Sequence, residues 1–310
     1  MPGRRGSSSF VCSDFDLERT IDSGQVFRWR SAGGGFTGWL HGDPVRIAQR
    51  GAVLSVQGAS AEAVRDFFSL AVDLKTVAAQ IDRDAFIHGA LERFRGLRVI
   101  RQSPWECAAS FLLSSCNNIP RLTGMIDRLC ARYGPSVTGP VVEGRSPPSV
   151  LGPSASSGPA GAAAKASPSA PPVTCGFPPP EIVAKVSERA LRNLGLGYRA
   201  PHLRAAAQAV ASGRADLERW RGMEEEELRR ALQTIPGVGE KVAECVLLFA
   251  YGRCAAFPVD VWIGRVMRGR YFRGRNVPDR KIRSFARRYF GPWCGWAQQY
   301  LYCAARTPSA

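Results

Sequence analysis

A chain of 310 residues with 45% hydrophobic and 22% charged side chains has an ordinary globular composition and enough length for two or more packed units. Its 42 Lys plus Arg against 26 Asp plus Glu give a net charge of +16, which calls for a polyanionic partner, nucleic acid or an anionic membrane surface. No stretch approaches the ~20 apolar residues of a membrane span. The start MPGRRGSSSF lacks the apolar core of a secretory signal. Nine scattered cysteines without a CxxC pair read as free thiols of a nuclear, cytoplasmic or organellar protein.

Residues 1–9 read as a basic flexible terminus. From residue 10 to 74 short runs such as Phe36 to Leu40, Val45 to Gln49 and Ala52 to Gln57 alternate with Gly33-Gly34-Gly35, Gly42-Asp43 and Arg50-Gly51, the signature of a small antiparallel sheet. From 75 to 137 the period becomes helical, with Val77, Ile81, Phe86 and Leu91 on one stripe and Trp105 to Ser115 as an apolar helix. Residues 138–180 are rich in Pro, Gly, Ala and Ser, with three charged residues and one aromatic, and read as a disordered insertion. Helical signals resume from 181 to 305, with a stop at Gly195-Leu196-Gly197 and a further helix from Pro201 to Ser212. Between Arg265 and Arg288 stand ten Arg or Lys residues and one acid, Asp279. This is either a solvated face or a phosphate-contacting one.

The informative stretch is LQTIPGVGEKVAECVLLFA, Leu232 to Ala250. Ile235-Pro236-Gly237-Val238-Gly239 makes a tight hairpin between two helices within 224–250, and the two glycines permit positive φ and close backbone approach. The second helix therefore opens with free N–H groups and its positive dipole end exposed, a phosphate site that reads no sequence. Lys241 stands in the first turn of this apolar helix. Desolvation and the helix dipole would both favour its neutral amine, a nucleophile; a plain phosphate contact is the alternative. Nineteen residues on, Asp260 follows Phe257-Pro258-Val259 and precedes Val261-Trp262. It serves either as a helix N-cap or as a carboxylate that stabilises positive charge on a sugar losing its base.

The run PGVGEKVAEC followed by PVDV resembles the helix–hairpin–helix, Gly/Pro…Asp superfamily of DNA glycosylases, in its lysine-bearing bifunctional form. DSGQVFRW (Asp22 to Trp29), RQSPWECAASFLLSSCNNIPRLTGMIDRLC (Arg101 to Cys130), LGLGYRA (Leu194 to Ala200) and GPWCGWAQQYLY (Gly291 to Tyr302) resemble the 8-oxoguanine DNA glycosylases of eukaryotic type, from about Phe10 to Leu301 with the insertion left out. The resemblance implies an α+β fold, a small antiparallel sheet domain on a larger helical body. It implies a nuclear enzyme, with the mitochondrion as a second location, acting as a monomer on duplex DNA that contains 8-oxoguanine. Lys241 would attack the sugar C1′ with Asp260 in support, and the resulting Schiff base would drive strand cleavage after the base is flipped out. Gly24 would accept the N7 hydrogen of 8-oxoguanine through its carbonyl. Gln298 would bind the Watson–Crick edge, Tyr302 and Cys245 would sandwich the ring, and Phe249 and Pro258 would shape the wall, with a plain core role for Phe249 as the alternative. Arg121 and Arg199 would contact the orphaned cytosine and Tyr198 would wedge the kinked duplex. Gly237 and Gly239 would meet the DNA backbone.

The sequence departs from the family at three of these positions. Cys116 stands where an asparagine fills the vacated gap, with Asn117 as a possible substitute. Trp262 replaces a phosphate-contacting histidine and Tyr302 a phenylalanine. No metal or cofactor is required, although the hairpin carbonyls could hold a structural cation. Only Cys294 and Cys303 lie near the end, which argues against the iron–sulfur relatives, and Lys241 argues against the alkylbase ones. A damage-binding protein without catalysis is the remaining alternative.

Overall fold

The computed structural model describes residues 7–136 and 175–307. Five antiparallel strands, β1 (Ser7–Val11), β2 (Arg30–Ala32), β3 (Gly35–Leu40), β4 (Asp43–Arg50) and β5 (Val53–Gln57), lie in the order β1-β5-β4-β3-β2. Val45 and Ile47 on β4, and Leu54 and Val56 on β5, alternate with more exposed neighbours, so one face is apolar. That face packs on Phe15, Leu17, Trp29, Phe67 and Phe68, with the Phe67 and Phe68 rings 4.9 Å apart. Ser7, Ser8 and Ser9 pair with Gln57, Val56 and Ser55. The edge strand thus takes in residues that the sequence reading assigns to a flexible terminus; backbone pairing needs no apolar alternation.

The rest is helical. The stripe read through Val77 to Leu91 is two helices, Leu74–Ile81 and Ala85–Arg93, each opened by an aspartate cap, Asp73 and Asp84. Pro104–Leu113 is buried on nearly every side and packs against both Arg199–Ala211 and Glu240–Phe249, which makes it the central helix of the body. Where the sequence reads one helix from Glu181 there are two, Pro180–Lys185 and Glu188–Leu191, because Ser187 caps the second by accepting the Ala190 N–H at 3.2 Å. No helix among the described residues is long and apolar enough to cross a membrane.

Residues 138–174 of the expected insertion lie outside the described residues, but 175–180 belong to the body. Cys175 bridges to Ser136, the Gly176 N–H donates to the Pro135 carbonyl at 2.9 Å, and Trp105 Nε1 donates to the Pro178 carbonyl at 2.9 Å. Arg28 joins all three parts. Buried at 3% exposure, it pairs with Glu106 at 3.2 Å, donates to the Cys175 carbonyl and lies 4.8 Å over the Trp39 ring. A buried guanidinium is tolerable when its charge is paired and both terminal nitrogens are bonded, although its Nε has no hydrogen-bond partner among the described residues.

Candidate active site

The helices Glu225–Gln233 and Glu240–Phe249 flank the hairpin. Gly237 has φ +83°, and a Cβ there would come 2.7 Å from His202 Cβ and 3.1 Å from Leu112 Cδ1, so only glycine fits. Gly239 differs from expectation. Its backbone is extended at φ −85°, and nothing lies within 4 Å of where its Cβ would stand, so its missing side chain leaves open space in front of the helix N-terminus. No side chain caps that end, so its first N–H groups face outward. Gly237→Ala is expected to destabilise the protein by about 1–3 kcal/mol, measurable as a lowered urea midpoint; an unchanged midpoint would show that His202 and the hairpin give way freely.

Lys241 stands half-buried on the first turn of the second helix. Its Nζ donates to Ser114 Oγ at 3.0 Å and lies 5.0 Å from the Phe111 ring centre. Ser114 Oγ in turn donates to the Phe111 carbonyl at 2.6 Å, which fixes its lone pairs towards the amine. Phe111 stacks on Phe249 at 5.4 Å with 16° between the planes, so the Phe249 ring is core and also underlies the lysine's platform. Cys245, one turn on, is fully enclosed. Burial pushes its thiol up to about 11, against the lowering effect of Lys241 and with a further raising effect from Asp260. The thiol therefore stays neutral at physiological pH and lies in the field of both the amine and the carboxylate.

Asp260 caps the helix Val261–Val266 by accepting the Ile263 N–H at 2.8 Å. The cap pins the carboxylate, and Pro258, buried with Val259, leads the chain to it. Tyr302 also lies in the Asp260 field. Its phenol is pushed up to about 12 chiefly by burial, with Arg306 opposing, and the Arg306 guanidinium sits 5.3 Å over its ring. A Cβ on Gly24 (φ +82°) would stand 2.9 Å from Arg306 Nη1, 3.2 Å from Tyr302 Cε1 and 3.3 Å from Ile119 Cδ1. Gly24, Tyr302 and the start of the Ile119–Tyr133 helix thus share one wall. Gln298 is buried at 5% exposure, and its Oε1 has no partner among the described residues.

A second group lies across the joint Ser114–Cys116. Tyr198, 52% exposed, donates its hydroxyl to the Ser115 carbonyl at 3.0 Å. Arg199 stacks on the Tyr198 ring at 4.3 Å and donates to the Ser115 and Cys116 carbonyls, at 2.9 and 3.1 Å. Arg121 is exposed nearby, its backbone N–H received by Asn118 at 2.9 Å. Cys116 is exposed at φ +49°. Asn117 turns inward instead, donating to the Leu113 carbonyl at 3.3 Å, and so does not supply the exposed amide that the sequence offered as a substitute. Trp262 is 44% exposed with Arg265 5.6 Å from its ring. Of the basic stretch, Arg268 and Arg283 are bound to Asp279 and Glu240, while Arg273, Arg275, Arg280, Lys281 and Arg288 face solvent.

Sequence reading missed Ser114, Phe111 and Gln299. Gln299 Nε2 donates to the Ser23 carbonyl at 2.9 Å and so anchors the Gly24 turn to the C-terminal helix Cys294–Arg306. An SSCNN run and a doubled glutamine are the only sequence traces of them. Among the described residues no three His, Cys, Asp or Glu side chains gather as a metal site would require.

A hairpin whose N–H groups face outward, followed by an amine and a capped carboxylate at one buried thiol, defines a helix–hairpin–helix DNA glycosylase. Residues 9–108 match the 8-oxoguanine DNA glycosylase N-terminal domain and residues 109–292 the HhH-GPD superfamily of base excision DNA repair proteins, and the chain belongs to that family, in its 8-oxoguanine glycosylase/lyase branch. It is 32% identical to a probable N-glycosylase/DNA lyase of Methanothermobacter thermautotrophicus over 94% of both chains, and 29% identical to an N-glycosylase/DNA lyase of Arabidopsis thaliana over 94% of this chain and 78% of that one. Among solved structures it is similar to the 8-oxoguanine glycosylase/lyase of Clostridium acetobutylicum bound to duplex DNA with cytosine opposite 8-oxoguanine. There the TM-score is 0.80 at 26% identity, over 95% of this chain and 92% of that one.

Proposed function

We propose that this protein flips 8-oxoguanine out of duplex DNA opposite cytosine and removes it through a covalent lysine intermediate. The observation that carries the reading is the Lys241 amine held by Ser114 Oγ over the Phe111 ring, beside a buried thiol that also lies in the Asp260 field. Nζ attacks C1′ as the bond to the base N9 breaks, and the base leaves with the electron pair and gains a proton. Nζ attacks as the neutral amine after giving up one proton. Transfer of a second Nζ proton to O4′ as the C1′–O4′ bond opens gives a protonated Schiff base, and removal of a C2′ proton expels the 3′ phosphate by β-elimination. Asp260, pinned by its cap, stabilises the cationic sugar as the base departs.

The Gly24 carbonyl accepts the N7–H that 8-oxoguanine has and guanine lacks, so an undamaged base would leave that acceptor facing a lone pair. The unpartnered Oε1 of Gln298 is available to the base edge, and Cys245 and Tyr302 enclose the ring between Phe249 and Pro258. Arg121 and Arg199 read the orphaned cytosine, Tyr198 wedges the kink, and the hairpin at Gly237 and Gly239, with Trp262, holds phosphates. One chain supplies the whole set, so the protein acts as a monomer. The clostridial complex with cytosine opposite 8-oxoguanine supports the same pairing here.

The test is borohydride reduction of the protein on a duplex carrying one 8-oxoguanine opposite cytosine. A covalent protein–DNA adduct with base release is expected. Tight binding with neither adduct nor released base would overturn the reading in favour of a damage-binding protein.

The opposite-base reading has its own test in Cys116. A non-glycine residue at φ +49° is strained, and asparagine tolerates that region better than cysteine. Cys116→Asn is expected to raise the preference for cytosine over adenine opposite the lesion by about 3- to 10-fold, or roughly 1 kcal/mol, in single-turnover excision. An unchanged ratio would remove this position from opposite-base reading.

A further inference from the structure

Glu244 is 1% exposed and sits three residues after Lys241 and immediately before Cys245 on the helix Glu240–Phe249. Its Oε1 accepts from Arg229 Nε at 2.6 Å and lies 3.6 Å from Arg287 Nη2, while its Oε2 accepts the backbone N–H of Phe257 at 2.7 Å. Arg229 belongs to the first hairpin helix and also binds Glu225 at 2.6 Å. Arg287 belongs to the helix Asp279–Phe290 and donates to the Ala255 carbonyl at 3.2 Å. One carboxylate therefore ties together both hairpin helices, the loop that leads to Asp260 and the helix beyond it.

A carboxylate this deep is costly unless paired, and even a paired one is weak evidence for stability, since apolar side chains of similar volume often do as well. What such a network fixes is relative position. Both linkages from Glu244 to the reactive groups are short and stiff. Lys241 lies one helical turn back. Phe257 lies three residues before Asp260, through Pro258, whose ring locks φ, and the buried Val259. We infer that Glu244, braced by Arg229 and Arg287, is a positioning residue that sets the placement of the Asp260 carboxylate relative to the Lys241 amine. The inference rests on the proposed roles of those two residues.

The two chemical steps separate it from a merely structural role. Releasing the base requires amine and carboxylate together, whereas forming a Schiff base with an abasic site already made requires chiefly the amine. In the full-length protein, Glu244→Gln keeps an oxygen for the Phe257 N–H and removes the charge. It is expected to lower single-turnover release of 8-oxoguanine by roughly 10- to 100-fold, since a misplacement of about 1 Å costs as much. Borohydride trapping on a duplex with a preformed abasic site, and affinity for a duplex carrying a tetrahydrofuran site, stay within about threefold. Arg229→Lys, which keeps the charge and loses the fork, is expected to give a smaller loss with the same selectivity, and it reads the same ratio should Glu244→Gln not fold. Release and trapping that fall together, as a reduced folded fraction would make them, overturn the inference, and so does unchanged release. An inactive wild type overturns the Lys241–Asp260 reading and this one with it, whereas an active wild type with an unaltered ratio in both variants overturns the brace alone.

Discussion

Lys241→Gln is expected to lower single-turnover release of 8-oxoguanine by about 10³-fold or more and to abolish the borohydride adduct, with affinity for the lesion duplex within about tenfold of wild type. Glutamine is polar and one bond shorter than lysine, and the position is half-buried on a first turn, so the helix should form as before. What is lost is an amine that can bond carbon, together with a cation over the Phe111 ring worth about 0.5–2 kcal/mol. The cation also belongs to a hairpin whose open N-terminus attracts phosphate, and its removal should cost binding about one counterion's worth of salt dependence. The measurement pairs release under enzyme excess with binding to a tetrahydrofuran duplex at two salt concentrations. If release falls only as far as binding does, Lys241 is a phosphate contact and the nucleophile lies elsewhere.

What could be read from the sequence was what local geometry demands. Gly237 needs positive φ, Asp260 caps the helix that follows it, and the apolar helix after the hairpin carries one lysine at its start. Each of these constraints operates within a few residues. The groups that hold the same site together act over long separations: Ser114 meets Lys241 across 127 positions and Gln299 meets Ser23 across 276. Serine and glutamine carry no periodicity that would mark them. Composition also misled where single contacts decide. Pro178 lies in a stretch that looks disordered, yet its carbonyl receives the Trp105 indole N–H. Three serines at the N-terminus have no apolar alternation, yet their backbone completes a sheet edge. Asn117 looked free to face DNA, but the end of the central helix takes its amide inward. The family resemblance brought Gly24 and Tyr302 into view; their sharing one wall with Ile119 and Arg306 is a property of the packing alone.

That wall leads to the second large expectation, for Gly24→Ala. A methyl group there would meet Arg306 Nη1 at 2.9 Å, Tyr302 Cε1 at 3.2 Å and Ile119 Cδ1 at 3.3 Å, on a residue at φ +82°. The guanidinium is the far end of a flexible side chain and can swing away. The ring and the isoleucine must give by a few tenths of an ångström, and alanine at positive φ costs about 1 kcal/mol in any case. Relief by rotating the turn is closed off. Gln299 holds the Ser23 carbonyl at 2.9 Å, Gln102 holds the Gln25 carbonyl at 2.9 Å, and Gln25 itself is spanned between Ser23 Oγ, the Arg98 carbonyl and the Ile100 N–H. The strain therefore falls on the pocket wall and on the direction of the Gly24 carbonyl. Global stability should drop by about 1–2 kcal/mol, and release of 8-oxoguanine by roughly 10²-fold. Affinity for a tetrahydrofuran duplex, which places no base in the pocket, should stay within about threefold of wild type. The selective loss is the point: a variant that is destabilised by this amount yet releases 8-oxoguanine at the wild-type rate would mean that the flipped base rests somewhere other than against Gly24.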